Sequence, residues 1–434
     1  MPLQEHAIRR TLMDVPYPVL KNGNRGVSRV ATNLRTHMGP LGYEIIISGQ
    51  PTKDPANNAA DIIHGYHLSV SHLGTRHDSK IVFRKSAAGR VAEAAGPLDL
   101  AVFHEPMAAH SAHPLISAMK KRADGKTEVC SIATFHGSAE NLDRRTATFA
   151  WVMGKKNLIR RPQLRRPFMT RGYSRTINDG LEGRTAVSSA AKKAWDSYFH
   201  GEVIVIPNGT DVSVYKPERT HEMNWSEDTL TFLFVGALEG RKDIPTLLDA
   251  FSLFLHDLPS DGLAEDKKNA QLAIIGQGNT TTILEKIQQL NLQEHVQLLG
   301  YQDDATVAAA YGDSDYFVST PKDGESFGLV LIEAAASGKG VLGTKTGGYT
   351  EVLDSLPFAW AAEPGNARDI ADKMLEMARL PRTMREEKGR LTRAYTVANY
   401  SWEEVAHKYD QYFEICIQRH HDTLTQPQKA QVYP

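Results

Sequence analysis

"TLTFLFVGALEGRKDIPTLLDAFSLFLHDL", residues 229–258, decides the fold. Residues 229–238 are a near-continuous apolar run, which predicts a strand buried on both faces. After a Gly-bearing turn the period changes. Ile244, Leu247, Leu248, Phe251, Phe254, Leu255 and Leu258 fall on one side of a helix. The alternation continues downstream. "AQLAIIG" (270–276), "VQLLGY" (296–301), "DYFVSTP" (315–321) and "KGVLGTK" (339–345) read as strands. "TTILEKIQQLNL" (281–292), "DATVAAAYG" (304–312) and part of 324–340 read as the helices between them. Strands alternating with helices imply a parallel sheet covered on both faces.

The first half repeats the theme less regularly. "YEIIISG", "LDLAVFHEP", "EVCSIATFHG", "GRTAVSS" and "EVIVIPNG" predict short buried strands, and Val27, Val30, Ala31, Leu34 and Met38 the stripe of an early helix. Residues 207–228 lose apolar periodicity and read as a linker. "SWEEVAHKYDQYFEICI" (401–417) predicts an amphipathic helix. Two doubly wound α/β domains facing a cleft follow, and ligands of such sheets gather at the carboxyl ends of the strands.

The chain has 434 residues, enough for two ordinary domains, with 50 basic against 51 acidic residues. That balance argues against a general nucleic-acid binder while permitting local patches. Cys130 and Cys416, far apart in sequence, suggest neither a disulfide framework nor a thiol metal site, and a reducing cytoplasm fits. The opening "MPLQEHAIRRTLMDVPYP" lacks the apolar core of a signal peptide, and no run reaches the roughly 20 apolar residues of a membrane span.

Two turns carry the chemistry. In "GESFGLVLIEAAASGKG" (324–340), Glu325 lies in a Gly/Ser-rich turn and Glu333 in a predicted buried helix, where a carboxylate is costly unless paired. Ser326 is placed to cap that helix, whose first N–H groups, from Phe327 through Gly328 and Leu329 to Val330, could bind phosphate. Glu333 could then accept from ribose and Glu325 from a sugar. The bland alternative is a capped helix with Glu325 solvated and Glu333 paired to a base. In "VGALEGRKD" (235–243), a strand end delivers Arg241 and Lys242, a pair able to neutralise a diphosphate. Its bland alternative is a solvated basic turn. Both features at strand–helix turns of one domain favour binding of a nucleotide sugar.

The segment "GESFGLVLIEAAASGKGVLGTKTGGYTEVL" resembles the E-x7-E region of retaining glycosyltransferases of family four, which have the GT-B fold of two Rossmann-like domains. "VIPNGTDVSVYKP" (205–217) is similar to the family's interdomain segment, and "YSWEEVAHKYDQYF" (400–413) to its closing helix. "HEP" (104–106), "ATFHGS" (133–138) and "LLGYQDDAT" (298–306) most resemble phosphatidyl-myo-inositol mannosyltransferases and related membrane-surface enzymes. The resemblance implies an acceptor-binding domain over 1–210, a nucleotide-sugar-binding domain over 211–395, and a helix over 396–425 packing back on the first. It implies that Glu325 meets donor sugar hydroxyls, Glu333 the ribose and Lys242 the diphosphate. The N–H groups of Phe327, Gly328, Leu329 and Val330 would meet diphosphate and sugar. Gly236 and Ser326 would line the donor, Gly300 and Tyr301 would lie beside the nucleobase, and His136 near the donor sugar.

Two departures stand out. The family often reads G-R-L where this chain has Gly236-Ala237-Leu238, so Arg241 is the available substitute for the arginine absent at Ala237. The family's paired-glycine loop is here "KNGNRGVSRV", with Gly26 nearest the helix start. Other motifs fail. "HEPMAAH" is no zincin, because position 108 is Ala and Pro106 interrupts the helix. "DSD" (313–315) reads as a turn rather than a metal site, and "IIGQG" (274–278) lacks the dinucleotide fingerprint. Neither cofactor nor obligatory metal is expected.

"KKNLIRRPQLRRPFMTRGYSR" (155–175) contains Lys155, Lys156, Arg160, Arg161, Arg165 and Arg166 with interleaved apolar residues and no acid. Each basic residue gains about 1 kcal/mol near an anionic leaflet. The stretch is read as a contact for a membrane or an anionic acceptor, against the alternative of a solvated loop. The expectation is transfer of a hexose, with mannose from GDP-mannose preferred, to a hydroxyl acceptor such as an inositol phospholipid. The expected setting is the cytoplasm and the inner membrane face. The alternatives are a UDP- or ADP-sugar with a soluble or polysaccharide acceptor, and a non-catalytic nucleotide-sugar binder.

Overall fold

The computed structural model describes residues 9–18, 27–50, 62–64, 70–72, 79–81, 94–95, 98–104, 129–136, 181–196, 201–258, 264 and 266–425. The chain divides into two compact units, one of residues 1–206 with 406–434, the other of residues 207–405.

The N-terminal unit contains β1 (Arg9–Pro18), α1 (Val27–Met38), β2 (Tyr43–Gln50), β3 (Ile62–His64), β4 (Val70–His72), β5 (Ser79–Ile81), β6 (Leu100–His104), β7 (Cys130–Phe135), β8 (Gly183–Ala186), α2 (Ser189–Asp196) and β9 (Ile204–Val205). A seven-stranded sheet has the order β3-β2-β1-β6-β7-β8-β9, and β4 and β5 form a separate antiparallel pair. Val30, Ala31, Leu34 and Met38 of α1 are buried, as their spacing predicts.

β1 carries no clear strand signal, since Arg9, Arg10, Asp14 and two prolines crowd ten residues. It is nevertheless central, and Leu12 and Met13 are fully buried. Pairing with β6 ends at Asp14, before Pro16 would withhold an N–H, and on the β2 side the register breaks between Asp14 and Pro18.

The C-terminal unit contains β10 (Thr229–Val235), α3 (Ile244–Asp257), β11 (Asn269–Ile275), α4 (Thr281–Gln289), β12 (Val296–Gly300), α5 (Asp304–Asp313), β13 (Tyr316–Ser319), α6 (Leu329–Ala336), β14 (Gly340–Thr344), α7 (Gly348–Ser355), β15 (Ala359–Ala362), α8 (Ala367–Ala378) and α9 (Arg382–Tyr400). Its sheet order is β12-β11-β10-β13-β14-β15, with every pairing parallel. The winding reverses between β10 and β13, which opens a crevice at their carboxyl ends. Beneath it the apolar face of α3 packs on the sheet. Phe232 meets Phe254 edge-on at 5.5 Å and stacks on Tyr316 at 5.6 Å.

Residues 207–228 are fastened to this unit. The Asp313 carboxylate accepts N–H bonds from Thr220 (2.6 Å), His221 (2.9 Å) and Met223 (3.1 Å). Burial opposes its charge, but these bonds prevail and hold its pKa below the usual aspartate value. Asp315 pairs with Arg219 at 2.7 Å and Lys267 at 2.9 Å. Both acids of "DSD" therefore brace the junction of α5 and β13.

Ser401, in extended backbone, separates α9 from α10 (Trp402–Thr425). Residues 396–400 thus close α9, and the terminal helix starts at Trp402, as the pattern of 401–417 suggests and not at 396 as the resemblance implies. From Ala406 onward the chain belongs to the N-terminal unit. There Asp410 accepts from the Tyr43 hydroxyl at 3.0 Å, and the Tyr412 hydroxyl accepts the Arg184 N–H at 2.8 Å. Among the described residues no helix is long and apolar enough to cross a membrane.

Candidate active site

The chain leaves β10 at Gly236 and makes a 3-10 turn over Gly240–Lys242. Asp243 follows in the left-handed region, at φ 50°, and reverses the path into α3. That reversal buries Lys242, which is 7% exposed. The Asp243 carboxylate accepts from the Thr246 hydroxyl at 2.9 Å and lies 3.6 Å from the Lys322 ammonium.

The loop between β13 and α6 meets this turn. Its Lys322 N–H donates to the Arg241 carbonyl at 3.0 Å. Glu325 Oε1 accepts from Lys242 Nζ at 2.7 Å and also from Arg241 Nη1. Arg241 Nε reaches Glu239 at 3.3 Å. Burial of the guanidinium opposes its charge, yet attraction to Glu325, with Glu239 behind it, raises its pKa overall. Glu325 is thus neither solvated nor unpaired; it is the shared counter-ion of both cations proposed from sequence.

The shape of this loop depends on three glycines. Gly328, at φ 103°, is the residue before the first turn of α6, and no side chain caps that helix. Ser326 therefore does not fill the capping role its position suggested. A Cβ on Gly328 would lie 2.6 Å from the Tyr349 ring. Gly347 and Gly348 press against the other side, where a Cβ on Gly348 would lie 1.9 Å from the Ser326 carbonyl oxygen. Gly348 N–H donates to the Glu325 carbonyl at 2.8 Å, which fixes the Glu325 backbone. The Tyr349 ring sits 5.9 Å from Lys242 Nζ, a cation–π distance.

The first turn of α6, with the amides of Leu329 and Val330, opens beside this cluster, and a helix start leaves its first N–H groups without intrahelical acceptors. One turn further, Glu333 is buried and its Oε2 accepts from the Tyr311 hydroxyl at 3.2 Å. Burial, assisted by the Glu333 charge, pushes the Tyr311 hydroxyl well above its ordinary pKa, so it stays a donor. A phenol thus partners the carboxylate for which the sequence offered a base or a ribose.

Gly236 and Gly300 lie at the ends of β10 and β12, joined through Gly276, whose N–H donates to the Gly300 carbonyl at 2.8 Å. Gly300 needs its positive φ of 66°, and Tyr301 beside it is 55% exposed. His136 is buried at the carboxyl end of β7 in the N-terminal unit. Gly26, Lys155, Lys156, Arg160, Arg161, Arg165 and Arg166 lie outside the described residues. Sequence reasoning missed Tyr311, Tyr349, Asp243 and Lys322. Of these only Tyr349 had a local signal, the adjacent Gly347-Gly348 pair that precedes it at a strand–helix turn.

Residues 24–214 match the family model Glycosyltransferase Family 4, and residues 216–412 match Glycosyl transferases group 1. The chain belongs to glycosyltransferase family four. A relative from Mycobacterium leprae, a phosphatidyl-myo-inositol mannosyltransferase, is 30% identical over 54% of this chain and 59% of its own. The chain thus spans little more than half the length of that relative. Among solved structures, sucrose-phosphate synthase from Thermosynechococcus elongatus has a TM-score of 0.67 at 17% identity, covering 95% of this family member and all of that chain (100%). HepE from Anabaena, crystallised with UDP and glucose, has a TM-score of 0.67 at 14% identity, covering 94% and 99%. These likenesses place the fold of this glycosyltransferase family member in the GT-B class.

Proposed function

We propose that the protein transfers a hexose from a nucleoside diphosphate sugar to a hydroxyl acceptor, with retention of anomeric configuration. The observation that carries this reading is the convergence of Lys242, Arg241 and Glu325 at one switch point, beside the start of α6. Departure of the diphosphate is the difficult step. Lys242, Arg241 and the amides at the helix start stabilise the negative charge that develops on it. Arg241 takes the place of the arginine that Ala237 lacks. Glu325 and His136 orient the sugar, Glu333 receives the ribose, and Gly300 and Tyr301 flank the base. The leaving phosphate accepts the acceptor's proton. No step requires a metal.

Within this reading we favour mannose from GDP-mannose and an inositol-phospholipid or similar lipid acceptor. The name of the mycobacterial relative supports that choice. The basic stretch 155–175 would then meet the anionic surface. In a second reading, a UDP-sugar with a soluble acceptor, the donor is favoured by the UDP and glucose bound to HepE. A thermal-shift screen with GDP-, UDP- and ADP-sugars, followed by mass spectrometry of products, separates the two, because the true donor stabilises in proportion to its occupancy. Tight donor binding without transfer to any of a broad acceptor panel would show a binder instead of an enzyme.

A further inference from the structure

Glu325 engages the two cations that a diphosphate would need. One oxygen, Oε1, accepts from both Lys242 Nζ and Arg241 Nη1. The same turns hold two further matched charges, with Glu239 at 3.3 Å from Arg241 and Asp243 at 3.6 Å from Lys322. Each of the three cations in these two turns thus already has a carboxylate partner. A buried ammonium such as that of Lys242 demands an anion, and a second anion brought to the same cations is repelled by the carboxylate already there. The Glu325 backbone cannot withdraw, because Gly348 N–H binds its carbonyl and the glycine pair packs against it. Its side chain alone can turn away. Arg241, half-exposed and backed by Glu239, is free to follow an incoming anion.

We infer that Glu325 is an internal counter-anion that competes with the diphosphate for Lys242 and Arg241. It yields both cations when the donor binds and reclaims them as the nucleoside diphosphate leaves, so that the product does not remain on the enzyme. This rests on the reading of the site as a diphosphate site. The role is distinct from contact with the sugar, because it acts on the nucleoside diphosphate alone, where no sugar is present.

The test is calorimetric titration of the full-length protein with GDP, UDP and ADP in turn, continued with whichever binds the wild type most tightly. Glu325→Gln keeps the side chain's shape and removes its charge. It should bind that nucleoside diphosphate at least about threefold more tightly than the wild type, while transfer is lost. Lys242→Ala should bind it at least about tenfold more weakly. Undiminished binding by Lys242→Ala overturns the diphosphate reading itself. Loss in Lys242→Ala together with unchanged or weaker binding by Glu325→Gln overturns the counter-anion role alone. A crystal structure of the wild type with the nucleoside diphosphate gives a check that needs no variant. The Lys242–Glu325 contact should open beyond hydrogen-bonding reach, and its persistence with diphosphate on both cations would also overturn the role.

Discussion

Lys242 Nζ lies 2.7 Å from Glu325 Oε1 although the residues are 83 positions apart. The contact exists because β10 and β13 are neighbours, in register through Phe232 and Tyr316, and both turns leave the same end of the sheet. Replacing Lys242 by Ala should lower kcat by about 10²- to 10³-fold, the range for removing one stabiliser of a developing oxyanion. It should also lower stability, by no more than about 3 kcal/mol, because the partly buried Glu325 carboxylate keeps Arg241 as a partner. Turnover and urea melts measure the two effects, and near-normal turnover would remove Lys242 from the chemistry.

Gly328→Ala tests the loop. The left-handed backbone conformation costs a non-glycine residue about 1–3 kcal/mol, and the Tyr349 ring blocks the added methyl. A lower melting temperature and lost transfer are expected. An unchanged melting temperature would mean that the loop does not adopt this path.

Tyr311→Phe removes the hydroxyl that donates to buried Glu333. Leaving that acceptor short of a partner costs about 1–3 kcal/mol. Chemical denaturation should register the loss. Full stability in the variant would show that Glu333 is satisfied without the phenol.

Lys339 gives the unfolding curve a pH signature. It donates to the Gly312 carbonyl at 2.8 Å, and burial, with Arg219 adding repulsion, lowers its pKa to about 8. Between that value and the ordinary lysine value the unfolded chain binds a proton that the fold rejects. Stability from this group therefore rises with pH through the window and is lowest below pH 8. Lys339→Met should flatten the rise in urea midpoint across the window. Parallel wild-type and variant curves would refute this.

The basic stretch is tested by flotation. Replacing Lys155, Lys156, Arg160, Arg161, Arg165 and Arg166 by Gln should abolish association with phosphatidylinositol-containing vesicles, since each charge contributes about 1 kcal/mol at an anionic surface. Pure phosphatidylcholine vesicles should bind neither form. Equal flotation of both forms would reject the surface.

The sequence by itself determined the alternation of strand and helix in residues 229–345, because burial writes its period directly into neighbouring side chains. It also marked the two turns that carry Lys242 and Glu325, since glycines and a charged pair at a strand–helix junction are local signals. β1 was illegible for the opposite reason: its place between β2 and β6 rests on pairing with distant strands, while its own prolines and charges argue against a strand. Only the tertiary structure decided that Glu325 pairs with Lys242 and Arg241, that Tyr311 serves Glu333, and that Asp313 and Asp315 brace residues 219–223 and 267. Which charge meets which depends on strand order and on where the winding reverses, and no run of neighbouring residues encodes that.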